Sequence, residues 1–133
     1  MGKSRTTLQA LYILIMMVCI FFTTGFTSPN TVELYFSDFQ NLHLIIEERK
    51  VEACPNFLAE TVVQELIKGP KEPYLYPTVP GSIEVNSVYV DDAGTCYVDF
   101  KEQPSLIGSM AEVLFVDSFV YSLTELEGIE KVQ

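Results

Sequence analysis

Hydrophobic and polar residues alternate through 31–38, where Val32, Leu34 and Phe36 oppose Glu33, Tyr35 and Ser37. That period of two predicts a half-buried strand. Asp38-Phe39-Gln40-Asn41 supplies turn residues. A second strand is expected over 42–51, with Leu42, Leu44 and Ile46 on one side and His43, Ile45 and Glu47 on the other. The two make a hairpin. The period then changes to that of a helix: Leu58, Ala59, Val62, Val63 and Leu66 share one stripe, and Glu60, Gln64 and Lys68 lie off it. Asn56, just after Pro55, is the expected N-cap, and Gly69-Pro70 closes the helix, since glycine accepts a positive φ and proline cannot continue. Residues 71–81 hold three prolines and no period, and predict a loop.

Two further strands are expected on either side of Asp91-Asp92-Ala93-Gly94. In the first, Ile83 and Val85 are out of phase with Val88 and Val90, a slip that predicts a bulge near Asn86-Ser87. In the second, Cys96, Val98 and Phe100 face the core, and Tyr97 and Asp99 face away. Ser109 and Glu112 form a capping box for a helix that runs to a stop at Gly128. Its apolar residues, including Met110, Val113, Phe115, Val116, Phe119, Val120 and Leu123, cover most of its circumference. Only Ser118, Ser122 and Glu125 form a polar edge. Such a helix is either sandwiched within its own domain or serves a second partner. Lys131-Val132-Gln133 begins another strand. The order β-β-α-β-β-α-(β) is that of an α+β, two-layer domain, with two helices on one face of a small, mostly antiparallel sheet.

The 133 residues suffice for one domain over 31–133, preceded by a different material over 1–30. Lys3 and Arg5 precede an apolar run from Ala10 to Phe22, and no charge appears between Thr6 and Val32. This is a signal peptide or a transmembrane anchor, the uncharged stretch exceeding the ~20 residues that cross a bilayer. The flanking cations put the N-terminus in the cytoplasm and the domain outside, tethered in the cell membrane or, after cleavage, secreted. Cys19 lies inside the apolar run after Met17-Val18, without the small residues of a lipobox. Residues 31–133 carry six basic against eighteen acidic side chains, a net −12 that repels nucleic acid and anionic lipid headgroups.

Asp91, Asp92, Asp99 and Cys96 fall within nine residues, and invite comparison with a reaction centre or a metal site. A hairpin accounts for all of them, with Asp91 and Asp92 at a solvated tip and Asp99 on the outer face. No calcium-binding loop with alternating acids and a distal Glu is present. One His and two cysteines in the domain supply too few soft ligands for zinc. His43, between Leu42 and Leu44, reads as a surface histidine, and Cys54 and Cys96 as thiols and not a disulfide framework. Glu47-Glu48 with Arg49-Lys50 reads as a solvated, mixed-charge strand end. Nothing predicts a cofactor, a metal or a catalytic residue.

"ELIKGP", "VPGSIEVNSVYVDDAGTCYVDF" and "GSMAEVLFVDSFVYSLTELEGIEKVQ" together, over about 57–133, resemble the GerMN domain of sporulation and spore-germination proteins and related envelope lipoproteins. The match lies in the order and spacing of these segments. Gly69-Pro70 matches the helix-ending pair and Pro80-Gly81 the turn before the central hairpin. Val98-Asp99-Phe100 matches the return strand, and Ser122-Leu123-Thr124-Glu125 the late helix. Gly69, Pro70, Gly94, Asp99, Ser109 and Gly128 are thus expected as fold determinants. The resemblance implies a non-enzymatic interaction module outside the cytoplasmic membrane, binding envelope or sporulation proteins or other copies of itself. A secreted cell-wall-binding module and a cell-wall hydrolase are the alternatives. Asp117 stands where the family pattern has an uncharged residue, and the chain stops where relatives continue, which would leave a sheet edge open. Phe115, Asp117, Phe119 and Val132 are the candidate interaction residues. Asp117 is either a solvated edge carboxylate or a charged contact in an oligomer interface.

Overall fold

The computed structural model describes residues 28–102 and 109–133. The segment read as a signal or anchor, Cys19 included, lies through residue 27 outside the described residues. Among the described residues no helix is long and apolar enough to cross a membrane.

Strands β1 (Ser28–Ser37) and β2 (Leu44–Ala53) form an antiparallel two-stranded sheet. A 3₁₀ turn, Pro55–Phe57, leads into helix α1 (Leu58–Lys68). Strands β3 (Val85–Val90) and β4 (Thr95–Phe100) are antiparallel; helix α2 (Met110–Thr124) then returns the chain to β5 (Lys131–Val132), which pairs parallel to β4. The class is α+β and mostly antiparallel, with the strands divided between two small sheets, β1-β2 and β3-β4-β5. Strand β5 does form, because α2 supplies the crossover that a parallel pair needs. Helix α2 packs on β1 and β5, and α1 on β1, β3 and α2.

The core holds Val32, Leu34 and Phe36 from β1, Val62, Val63 and Leu66 from α1, Cys96 from β4, and Phe115, Phe119 and Leu123 from α2. Those of β1, α1 and β4 follow their predicted stripe or alternation; for α2, whose apolar residues singled out no face, the structure chooses Phe115, Phe119 and Leu123 as the inward ones. The bulge also lies where the slipped alternation put it, between Val85 and Ser87. At the β3–β4 turn, Gly94 has φ +74°, and a Cβ there would stand 2.9 Å from the Gly128 carbonyl oxygen. Only glycine fits both the dihedral and the contact. Gly69 caps α1 with φ +84°, whereas α2 stops at Thr124, short of the expected Gly128, which takes φ +86° in the turn that follows.

Two local expectations are overturned. The N-cap of α1 is Phe57, with no side-chain cap; Asn56 lies within the 3₁₀ turn, which Pro55 starts and which the Phe57 N–H closes on the Cys54 carbonyl at 2.9 Å. The inward face of β2 is the opposite of the one its apolar residues suggested. Glu47, Arg49, Val51 and Ala53 are buried, while Ile46 is 47% exposed. The register decides this: Leu34 opposes Glu47 and Val32 opposes Arg49, and cross-strand partners share a face.

The supposedly solvated strand end is therefore an ion cluster inside the fold. Arg49 donates to Glu47, to Glu65 Oε2 at 2.8 Å and to the Gly69 carbonyl at 3.1 Å, and its guanidinium lies 5.7 Å from the Phe36 ring centre. The other oxygen of Glu47 accepts the backbone N–H groups of Lys71 and Glu72 at 2.8 and 3.0 Å. One side-chain pair thus joins β2, α1 and the start of the 71–81 loop. Burial pushes both carboxyls up. The N–H donors of Glu72 and Lys71 with Arg49 at Glu47, and Lys68 with Arg49 at Glu65, outweigh it and hold both below the usual glutamate range.

Lowered carboxyl values mean that their contribution is complete above the ordinary value of about 4.3 and is lost as pH falls through the folded-state value. Arg49→Met should cost about 3–5 kcal/mol at neutral pH by leaving buried charge unpaired. The gap between wild type and variant in urea unfolding should narrow as pH drops below about 4. A gap independent of pH would show that the packing of the Arg49 stem, and not its charge, matters.

Candidate interaction surface

Helix α2 begins at Ser109, whose Oγ accepts the Glu112 N–H at 3.4 Å. It divides into two faces. Leu114, Phe115, Ser118, Phe119, Ser122 and Leu123 are buried. Met110, Val113, Val116 and Tyr121 are each about half exposed, at 51, 51, 48 and 48%.

The expected polar edge, Ser118 and Ser122, is in fact fully buried, a correction with a clear cause. The Tyr35 N–H donates to Ser122 Oγ at 3.0 Å, and Ser118 Oγ donates to the Tyr35 carbonyl at 2.7 Å. Thr78 Oγ1 donates to Ser118 Oγ at 2.8 Å. Strand β1 pairs with β2 along one edge only, so α2 satisfies the other edge at Tyr35 with two serines. Two residues on, Ser37 exchanges backbone hydrogen bonds with Tyr76 along the same edge. The pattern of two serines four positions apart on an apolar helix was visible in the sequence; the strand edge it meets was not.

Of the candidate interaction residues, Phe115 and Phe119 are 6% and 4% exposed. They cluster with Phe100, with ring centres 5.0–5.6 Å apart. With Val98, Val116, Val120 and Val132 they line a groove of ≈ 210 Å³ between α2 and the β4–β5 pair. Asp117 is half-buried on the other flank. It lines a wider trough of ≈ 590 Å³ between α2 and the β1–β2 turn, together with Leu42, His43, Leu44, Met110, Val113, Tyr121 and Glu125. The candidates thus fall on two flanks of α2, and the exposed apolar residues Met110, Val113 and Tyr121 were not among them.

The carboxylates of the central hairpin are structural. Asp91 accepts the N–H groups of Ala93 and Thr95 at 3.0 and 2.8 Å and the Tyr97 hydroxyl at 3.3 Å. The Thr95 N–H is the main cause that lowers its pKa. Asp92 is exposed, and Asp99 accepts the Asn86 amide at 3.1 Å on the outer face. His43 is exposed and pairs with Asp38 at 3.3 Å. Pro70 follows Gly69 at the end of α1, beside the ion cluster. Among the described residues no group of three or more His, Cys, Asp or Glu could hold a metal ion. Neither Cys54 nor Cys96 is in a disulfide, and burial pushes the Cys96 thiol up.

The model of the family described as sporulation and spore germination matches residues 33–133. The fold is similar to that of the first GerMN domain of the sporulation protein GerM from Bacillus subtilis, at TM-score 0.66 and 22% identity over 78% of this chain and 80% of that one. The tandem GerMN domains of the same protein match at TM-score 0.61 and 21% identity, over 80% of this chain and 38% of theirs. A Clostridium perfringens protein provisionally described as a lipoprotein matches at 0.53 and 20% identity, over 83% of this chain and 77% of that one. No curated protein sequence matches significantly.

Ser122→Ala should destabilise the protein by about 1–3 kcal/mol, since it strips a buried N–H of its acceptor; the urea midpoint measures this. Cys96 should resist 5,5′-dithiobis(2-nitrobenzoate) in the native protein and react on unfolding. Cys96→Ser should accordingly remove one thiol from the count in urea and none from the native count.

Proposed function

Because the chain belongs to the sporulation and spore germination family, we propose that it is a non-enzymatic interaction module, tethered to the cell membrane with its domain outside, that binds other sporulation or envelope proteins. The outward face of α2 carries this reading: Met110, Val113, Val116 and Tyr121 stand about half exposed on a domain of net −12. Apolar residues grouped on the exposed face of one helix mark a contact with another macromolecule. The tether is supported by Lys3 and Arg5 ahead of the uncharged stretch Thr6–Val32. The likeness to a GerM domain and to a described lipoprotein agrees with a place at the envelope.

Deleting the gene in the source organism should lower the yield of heat-resistant spores, and the wild-type gene should restore it. A Val113→Glu, Val116→Glu double variant should keep its far-ultraviolet circular dichroism and fail to restore it. An unchanged yield on deletion, or full rescue by the folded variant, overturns the reading. In the same cells the protein should sediment with membranes and be digested by protease added from outside; recovery in the medium without residues 1–28 would replace the tether with secretion.

A further inference from the structure

The trough between α2 and the β1–β2 turn combines two properties that together specify what it holds. Its walls are apolar: Leu42 is 50% exposed on the turn side, and Met110 and Val113 are each 51% exposed on the helix side. Among the described residues its charge is of one sign, since none that line it is a lysine or arginine. His43 is its one base and already faces Asp38 at 3.3 Å.

The two carboxylates in the trough differ. Glu125 accepts the Tyr35 hydroxyl at 3.2 Å. The carboxylate of Asp117, one helical turn beyond Val113 and one before Tyr121, makes no hydrogen bond or ion pair with any described residue. It is nonetheless half-buried, between apolar neighbours that shield it from bulk water. A carboxylate in that setting attracts a cation more strongly than one in open solvent.

We infer that this trough is the docking site for a basic, amphipathic segment of a partner protein, which places an arginine on Asp117 and apolar side chains against Val113 and Leu42. Arginine suits the site better than lysine. Its planar fork meets a carboxylate with two hydrogen bonds, and its face can lie on the Tyr121 ring. A second copy of this chain is disfavoured, because its domain brings another net −12 over residues 31–133 and the same acidic trough. This inference rests on the interaction-module reading and names the partner's chemistry.

The test uses the full chain in phosphatidylcholine nanodiscs, with empty nanodiscs as blank and the fluorescent peptide acetyl-Leu-Arg-Val-Arg-Leu-amide as probe, read by anisotropy at 0.15 M salt. Saturable binding is expected, weakened about tenfold by Asp117→Asn and by Val113→Ser. Glu60→Gln on the outer face of α1 should leave it unchanged. Equal weakening by Asp117→Asn and Glu60→Gln would reveal unselective charge attraction and overturn the inference. So would the absence of saturation, equal binding of the peptide with Glu in place of Arg, or a doubled mass in light scattering that Val113→Ser abolishes. In the spore assay, rescue by Asp117→Asn but not by the Val113, Val116 double variant would discard the basic partner and keep the interaction module. Rescue by both would discard the module.

Discussion

Arg49 is the residue on which the rest of the structure depends. Its guanidinium, almost wholly enclosed, joins Glu47 on its own strand to Glu65 on α1 and to the carbonyl of Gly69 where that helix ends. Desolvating an arginine and a glutamate costs several kcal/mol each, and the cost is offset only if nearly every donor and acceptor finds a partner. Here they do: Glu47 takes Arg49 on one oxygen and two backbone N–H groups on the other. Among the described residues no buried side-chain nitrogen or oxygen lacks a hydrogen bond. The network therefore requires the β2 register, the end of α1 and the start of the following loop to be correct together. An apolar trio in its place would fill the volume without demanding that coincidence.

The second constraint is the unpaired edge of β1. A two-stranded sheet leaves two edges open, and β1 has β2 on one side only. Helix α2 covers the other at Tyr35 with Ser118 and Ser122, and the 71–81 loop covers it at Ser37 through Tyr76. Small side chains let the helix lie close, and their hydroxyls do what a neighbouring strand would do. Orienting α2 by this contact turns Phe115, Phe119 and Leu123 inward and leaves Met110, Val113, Val116 and Tyr121 outward. The same contact that closes the core exposes the surface here proposed to meet partners.

Asp117 sits at the boundary of those two roles. Its neighbours along the helix, Val113 and Tyr121, are each about half exposed, and the opposite wall is the β1–β2 turn. That turn is itself held by polar bonds: Asp38 accepts the Leu42 N–H at 3.0 Å, and Ser37 donates to Asn41 at 3.0 Å. Asn41 takes φ +53°, a dihedral asparagine tolerates better than most residues. Both walls are thus built on well-bonded elements, and the trough is formed in the chain by itself.

The period of apolar residues was enough to determine the element order, the α+β class, the bulge between Val85 and Ser87, and most of the core, because those features depend on local sequence and on which face is apolar. Glycine chemistry likewise determined the turn at Gly94 and the end of α1 at Gly69, while α2 stopped at Thr124, ahead of Gly128. Tertiary structure alone decided the face of β2, since the apolar set Leu42, Leu44 and Ile46 suggests one face and the register with β1 turns the other, that of Glu47 and Arg49, inward. It also decided that Glu47, Arg49, Ser118 and Ser122 are inside. A polar residue enters a core when partners distant in the chain satisfy it, and those partners, at Glu65, Gly69, Lys71, Tyr35 and Thr78, become neighbours only when the chain has folded.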